Sequence, residues 1–282
     1  MEAALGHPVF DPLRPSLERL ELPFGATLEE LNALAQAAGL QVESGSALRF
    51  VPPSPAENRY GDYEMRVFDS GRVETRPDSK HDLFNALAWL AFPKTKACLN
   101  ALHAAEIPRE NGRRGRFRDL LTLIDEGGAI VECGDAELID MLRGFRWREL
   151  FWDNRDRVLR SMRVHVLGHA VLEQALRPWP GITCKVIFVA PGADPDAQGA
   201  TWLGGLPRQA TPRELPPLPI FGFPGWFPGS DRPEFYEDSR FFRPFRRALP
   251  GKMTAGVGQA AAANRSEWRA EESPGSAERD AG

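Results

Sequence analysis

The sequence predicts an α+β fold in which helices flank a small mixed β-sheet and a C-terminal arm rich in proline and aromatic residues is extended. Three observations support this prediction. Several segments place apolar residues at three- and four-residue intervals behind a capping residue, as helices do. Residues 162–167 and 183–189 are short β-branched runs, which favour strands. Residues 191–250 hold prolines at a density that excludes long helices and central strands.

The N-terminal part is predicted to alternate between helices and short strands. Thr27 and Glu30 form a capping box, and Gly39 ends the helix that follows. Two further elements are predicted: a β-hairpin over residues 40–42 and 47–51, and a helix over residues 60–69.

The stretch from Thr75 to His103 carries the most side chains able to do chemistry. Ser79 is expected to cap a helix over residues 80–91, and Pro93 separates it from a second helix over residues 94–105. If the two helices form a hairpin, their polar faces converge. The residues on these faces are His81, Asp82, Asn85, Lys96, Asn100 and His103.

We interpret His81, Asp82 and His103 as candidate catalytic or metal-binding residues, because imidazole and carboxylate groups serve as acid–base catalysts and as metal ligands. The candidate ligand-binding residues are Asn85, Lys96, Asn100, His169 and Glu173. A structural interpretation stays open for each, since a carboxylate in a first helical turn is favoured by the helix dipole alone.

The second half is predicted to contain a β-hairpin over residues 120–124 and 129–132, with Asp125 and Glu126 in its turn. A carboxylate pair at a hairpin tip can also bind a divalent cation. The strand over 162–167, a helix over 169–176 and the strand over 183–189 predict a parallel crossover. His169 and Glu173, four residues apart on one helix face, could hold a metal ion, although this spacing is common by chance.

Residues 111–118, with the sequence NGRRGRFR, are predicted to form a basic, turn-rich loop, and five arginines lie between Arg109 and Arg118. Two interpretations remain open. The segment is a solvated loop, as charge runs usually are. Alternatively it contacts an anion, because the arginine fork binds phosphate through two parallel hydrogen bonds.

Composition limits the function classes. The chain has 282 residues, 42% hydrophobic residues and a net charge of -4, which disfavours nucleic-acid binding through bulk charge. No apolar run is long enough to span a membrane, and no signal peptide is recognisable. Three widely separated cysteines without a CxxC motif fit a cytoplasmic location. We expect one globular domain over residues 1–250, including the arm, and a disordered tail over 251–282.

Several long blocks resemble a proteobacterial domain-of-unknown-function family, DUF3025. They are TRPDSKHDLFNALAWLAFPKTKACLNALH, LLTLIDEGGAIVE, GHAVLEQAL, PLPIFGFPGW and FYEDSRFFRPFR. The resemblance extends from about residue 10 to 247. It implies a single cytoplasmic bacterial domain and implies no activity.

The polar residues favour a hydrolase or phosphoesterase that uses a divalent metal or a histidine base. The sequence contains no P-loop, no GxSxG elbow and no GxGxxG motif. Two alternatives stay open: a non-catalytic protein that binds a small anion in the same site, and a scaffold whose proline-aromatic arm binds a protein partner.

Overall fold

A computed structural model describes residues 2–53 and 62–244. The predicted tail over 251–282 lies outside the described residues. The α-helices and strands of the N-terminal half are α1 Arg14–Leu17, α2 Leu28–Ala37, β1 Arg49–Val51, α3 Asp62–Ser70, β2 Arg72–Glu74, α4 Lys80–Ala91 and α5 Pro93–Glu106. Those of the C-terminal half are α6 Arg116–Gly127, β3 Gly128–Cys133, α7 Ala136–Arg143, α8 Arg155–Ser161, β4 Met162–Val166, α9 His169–Ala175, β5 Thr183–Val189, α10 Pro195–Gly204 and β6 Pro217–Pro219.

The fold is α+β, with helices around two small sheets, as the sequence predicts. The strands β1 and β2 form a parallel pair, and the larger sheet has the order β4-β3-β5-β6. In the larger sheet β3 is antiparallel to β4 and parallel to β5, so the sheet is mixed. Among the described residues, no helix combines the length and the apolar character needed to cross a bilayer.

The predicted parallel crossover between residues 162–167 and 183–189 is wrong. Both segments are strands, but β3 lies between them and they run in opposite directions. The side chains of β3 are buried on both faces of the sheet except for Glu132, and such a strand takes a central position. Because β4 pairs with β3 up to Val166, the helix α9, which begins at His169, starts beside the beginning of β3.

The predicted hairpin over residues 40–42 and 47–51 forms only in part. A single antiparallel bridge joins Gln41 and Ala47, closed by a turn in which Val42 N donates to Ser46 O at 3.0 Å. Beyond the turn, β1 pairs in parallel with β2. The hairpin ends after this bridge because residues 49–51 form their backbone hydrogen bonds with β2 instead of with residues 40–42.

The predicted strand over residues 120–124 is also wrong, since these residues lie in the helix α6. The apolar residues Phe117, Leu120, Leu121 and Ile124 follow helical spacing, and all four are buried. The strand β3 follows α6 without a loop, because Gly128 N donates to Ile124 O at the helix end. Asp125 and Glu126 therefore lie in the last turn of a helix instead of a hairpin tip.

The helices around the central stretch agree with the prediction. Ser79 caps α4 by accepting a hydrogen bond from Asp82 N at 3.2 Å, and α5 begins at Pro93. The capping box at the start of α2 is present in both directions, with Thr27 N donating to Glu30 Oε2 at 2.8 Å. These caps fix where α2 and α4 begin and therefore where their side chains point.

The segment after residue 190 is less extended than predicted, because residues 195–204 form α10 behind a proline at its first turn. The remainder follows the prediction: β6 is a proline-containing edge strand, and the following rings pack on the core. Phe221, Phe223, Tyr236 and Phe242 are buried there. Phe245 lies outside the described residues.

Candidate functional site

Three helix ends meet at one place: the C-terminal turn of α6 and the first turns of α4 and α9. The backbone of Gly168, just before α9, lies so close to α6 that an added Cβ would stand 2.5 Å from Gly127 Cα. Gly168 N also donates to Gly128 O at 2.9 Å. Only glycine permits this approach, which brings His169 beside Asp125 and Glu126.

At this junction two histidines and a glutamate present one donor atom each to a common point. His81 Nε2 and His169 Nε2 are 3.1 Å apart. Glu126 Oε2 lies 3.5 Å from His169 Nε2 and 4.0 Å from His81 Nε2. These three residues are His81 on α4, Glu126 on α6 and His169 on α9, and we call them the His–Glu–His cluster.

The other nitrogen of each imidazole faces a carboxylate. His81 Nδ1 lies 3.3 Å from Glu173 Oε2. His169 Nδ1 lies 3.7 Å from Asp125 Oδ2, too far for a hydrogen bond, and is a buried nitrogen without a hydrogen-bond partner among the described residues. Protons on both Nδ1 atoms would leave two Nε2 lone pairs facing each other across 3.1 Å. A cation between them removes this repulsion, and carboxylate–histidine–metal arrangements use the same orientation.

Lys96 holds Asp125 in position. Its ammonium group contacts Asp125 Oδ1, donates to Asn85 Oδ1 at 2.8 Å and lies 5.5 Å from the centre of the Trp89 ring. Its side chain is only 4% exposed. The lysine therefore fixes Asp125, which in turn faces His169.

The local charge also favours a cation. Asp125 and Glu126 lie at a helix C-terminus, where the backbone dipole disfavours negative charge. Asp125, Glu126 and Glu173 are three carboxylates close to one ammonium group, that of Lys96. If the three are ionised and the histidines neutral, two negative charges remain, which equal one divalent cation.

The pKa values of the buried groups move in different directions. Burial raises the pKa of Asp125, but the positive charge of Lys96 and its hydrogen bond to the carboxylate outweigh it, and the net pKa is lowered. Burial and then the charge of Asp125 raise the pKa of Glu126. Burial lowers the pKa of His169 to about 4, so this imidazole is neutral at pH 7 and able to bind a metal.

The donor spacing matches a small metal ion. Ligand bonds of about 2.05 Å at tetrahedral angles place neighbouring donor atoms about 3.3 Å apart. The three separations of 3.1, 3.5 and 4.0 Å in the His–Glu–His cluster bracket this value. His169 is 5% exposed, whereas His81 and Glu126 are 39% and 40% exposed. The cluster thus has a buried side and an open side, as catalytic metal sites with three protein ligands do.

Two further predicted residues lie behind Lys96. Asn85 Nδ2 lies 3.4 Å from the Tyr63 hydroxyl, and Asn100 Nδ2 donates to Glu64 Oε2 at 2.7 Å. Burial, followed by the charge of Asp125, raises the pKa of Glu64 to about 7. Among the contacts of the described residues, Asn85 is connected to the His–Glu–His cluster only through Lys96 and Asp125, so Asn85 supports the site without contacting the cluster.

His103 belongs to a different group of side chains. Its Nδ1 accepts a hydrogen bond from Arg118 Nε at 3.1 Å, and Arg118 Nη1 donates to Glu110 Oε2 at 3.0 Å. All three side chains are buried. The structure thus pairs His81 with His169 and places His103 against Arg118. The polar faces of α4 and α5 contact each other through the hydrogen bond between Asn85 and Lys96.

Asp82 is occupied by Arg76. Its carboxylate accepts hydrogen bonds from Arg76 Nε, Nη2 and the backbone nitrogen, each at 2.8 Å. Burial raises the pKa of Asp82, but these contacts outweigh it and the net pKa is lowered. The catalytic roles of Asp82 and His103 remain predictions. The contacts of Asp82 with Arg76 and of His103 with Arg118 are sufficient to give both residues a structural role.

The sequence predicts Asp125 and Glu126 as turn residues, with cation binding as the alternative, whereas the structure places both in the last turn of α6. The sequence did contain a signal for their position. Apolar residues recur at helical spacing from Phe117 to Ile124, and Gly127 and Gly128 then form a helix stop. Carboxylates placed just before such a stop are electrostatically unfavourable, which indicates a cation partner.

The chain matches the model of one protein family, described as "Protein of unknown function (DUF3025)", over residues 48–246. This match covers more than half of the 282 residues and includes all members of the His–Glu–His cluster. A search of curated proteins and a search of solved structures each found no match. The chain therefore belongs to the DUF3025 family.

Proposed function

We propose that the protein is a metal-dependent hydrolase that holds one divalent metal ion at His81, Glu126 and His169. The observation that carries the proposal is the convergence of the three donor atoms within 4.8 Å of one another. Two imidazoles and a carboxylate suit Zn²⁺ and other first-row transition metals. A metal held by three protein ligands keeps a position for water, whose pKa it lowers to about 7.

The surrounding residues have defined tasks in this proposal. Glu173 faces Nδ1 of His81 and Asp125 faces Nδ1 of His169, so that each Nε2 would be available to hold the metal. Lys96 keeps Asp125 ionised and in place. Glu173 is 40% exposed, so its other oxygen, Oε1, can also accept a proton from the attacking water.

Metal content of the purified protein tests the proposal. We expect about one divalent ion per chain, lost in His169→Ala and Glu126→Gln with a more than about 100-fold drop in affinity, because each change removes a direct ligand. His165→Gln is the matched control. His165 Nε2 also lies near a glutamate, 2.6 Å from Glu132 Oε1, but belongs to no three-residue cluster among the described residues.

Hydrolysis of p-nitrophenyl phosphate and p-nitrophenyl acetate tests the catalytic part. Activity should disappear with a chelator, return with Zn²⁺ or Mn²⁺ and be absent from Glu126→Gln. Three results would contradict the proposal. The first is that the protein binds no metal after growth in metal-supplemented medium. The second is that both ligand variants keep the metal. The third is that the protein binds Fe²⁺ and catalyses an oxygen-dependent reaction instead of hydrolysis.

A further inference from the structure

A shallow depression shares the half-exposed Glu126 with the His–Glu–His cluster. It has a volume of about 350 Å³ and is lined by Arg114, Asp119, Thr122, Leu123 and Glu126. The last four residues recur at three- and four-residue intervals along α6 and so share one helix face. Glu126 belongs both to the depression and to the cluster, so the depression leads to the proposed metal.

Arg114 supplies a positive charge in this depression. Its Nη2 contacts the Thr122 hydroxyl and donates to Arg118 O at 3.2 Å, and its Nε lies 3.1 Å from Asp119 Oδ1. The side chain is 37% exposed. Among the residues that the structure describes, these contacts use Nε and Nη2, which leaves the two N–H groups of Nη1 for a ligand.

Arg114 and Glu126 both line this depression, so a phosphoryl group held there can contact the guanidinium and the surroundings of the proposed metal ligand together. Arg114 contacts Thr122, which precedes Glu126 by four residues, or about 6 Å along the helix axis. A phosphoryl group placed between them can give one oxygen to the metal and another to the guanidinium. A metal ion and an arginine together stabilise the charge that develops on a phosphoryl group during transfer.

We propose that this depression is the substrate cleft and that Arg114 binds the phosphoryl group of a phosphoester substrate. The inference rests on the proposed hydrolase function and narrows it to phosphoester hydrolysis. For a phosphomonoester, water attacks phosphorus and gives up a proton, the bond from phosphorus to the ester oxygen breaks, and the leaving alkoxide takes up a proton, which yields an alcohol and inorganic phosphate.

The test measures binding of inorganic phosphate, the product, by titration calorimetry to metal-loaded protein. Arg114→Gln should weaken phosphate binding by about 10-fold or more, because it removes a charged hydrogen-bond donor. Its affinity for the metal should stay within about twofold of the parent protein, since Arg114 is not among the ligands. Arg113→Gln is the control, because this neighbouring arginine is exposed and does not line the depression.

Each outcome separates this inference from the proposed function. Stoichiometric metal without phosphate binding, or equal phosphate affinity in Arg114→Gln, would overturn the phosphoester inference and leave the metal site intact. If phosphate binding depends on Arg114 but is equally strong in metal-free protein, the proposal that Arg114 and the metal bind the same phosphoryl group would be overturned. Loss of phosphate binding in Arg114→Gln alone, with metal affinity and the Arg113→Gln control unchanged, would support it.

Discussion

Two histidine clusters lie at opposite ends of the same helix, α6, and differ in how completely their charges are balanced. Near its start, His103, Arg118 and Glu110 are buried, and one arginine bonds to both partners. Near its end, the His–Glu–His cluster is half exposed and has more carboxylates than cations around it. The first cluster needs no ligand, whereas the second places two imidazole nitrogens and a carboxylate around one point with only part of their charge offset.

The comparison indicates that the charge and bonding of the neighbouring side chains, more than the residue types, distinguish a structural histidine from a candidate metal-binding one. Both clusters contain a histidine, a glutamate and a nearby cation. In the first, the arginine satisfies the histidine and the glutamate together. In the second, Lys96 bonds to Asp125 and leaves Glu126 to the histidines. Changes in the first cluster should affect stability, and changes in the second should affect metal affinity.

Replacing Arg118 should give the largest effect. Arg118→Met removes the guanidinium that pairs with the buried Glu110 carboxylate, which costs about 3–5 kcal/mol of the free energy of unfolding. Urea unfolding of the metal-free proteins measures this loss. Arg114→Gln is the control, because its half-exposed pair with Asp119 contributes less than about 1 kcal/mol. A loss below 1 kcal/mol in Arg118→Met would contradict the structural role of this cluster.

The pH dependence of stability should reveal His103. Burial, together with the nearby cations Arg118, Arg114 and Lys96, lowers its pKa to about 4, although the charge of Asp125 opposes this. The unfolded chain, with a pKa of about 6.5, therefore binds this proton first. The neutral imidazole supports the fold fully above pH 6.5, and this contribution is lost as the pH falls toward 4. The total loss is about 3 kcal/mol.

Comparison with His103→Gln isolates this effect. The pKa of His169 is also lowered to about 4, but His169 is present in both proteins and its contribution cancels in the difference. Urea unfolding of metal-free protein at pH 7 and pH 4.5 should therefore show a smaller decrease for His103→Gln than for the parent. Parallel decreases in the two proteins would exclude a neutral buried His103 as the cause.

The sequence predicted the elements that depend on local chemistry. Thr27 and Ser79 are caps and Pro93 begins a helix, and all three signals act within a few residues. The polar candidates His81, His169 and Glu173 were also predicted from the chain, and the structure brings them together. Their mutual contact depends on residues up to 92 positions apart, which no local pattern encodes.

The sequence does not predict that Glu126 joins the two histidines, because it predicts a strand over residues 120–124 and places Glu126 in the turn that follows. Leucine and isoleucine runs fit both a buried strand and one helix face, and the periodicity from Phe117 onward favours the helix. The close approach of Gly168 to Gly127 is a second fact beyond sequence patterns. It depends on the path of β3 between β4 and β5, which is set by tertiary pairing.

Within the second cluster, Asp125 should have the larger supporting effect on metal binding. Asp125→Asn keeps an oxygen for Lys96 but removes the charge that faces His169 Nδ1, so we expect metal affinity to fall by about 100-fold. Competition with a fluorescent chelator measures the affinity. Asp119→Asn, on the exposed face of the same helix, is the control. Unchanged affinity in Asp125→Asn would show that this carboxylate does not position His169.

Glu173 supports the other histidine and should matter less. Its carboxylate lies 3.3 Å from His81 Nδ1, but both side chains are about 40% exposed, so water can replace this contact. Glu173→Gln should therefore lower metal affinity by about 10-fold, the smaller end of the range for such supporting groups. The same chelator competition measures it. A loss equal to that in Asp125→Asn would contradict the difference between the buried and open sides of the cluster, and it would indicate that Glu173 contacts the metal directly.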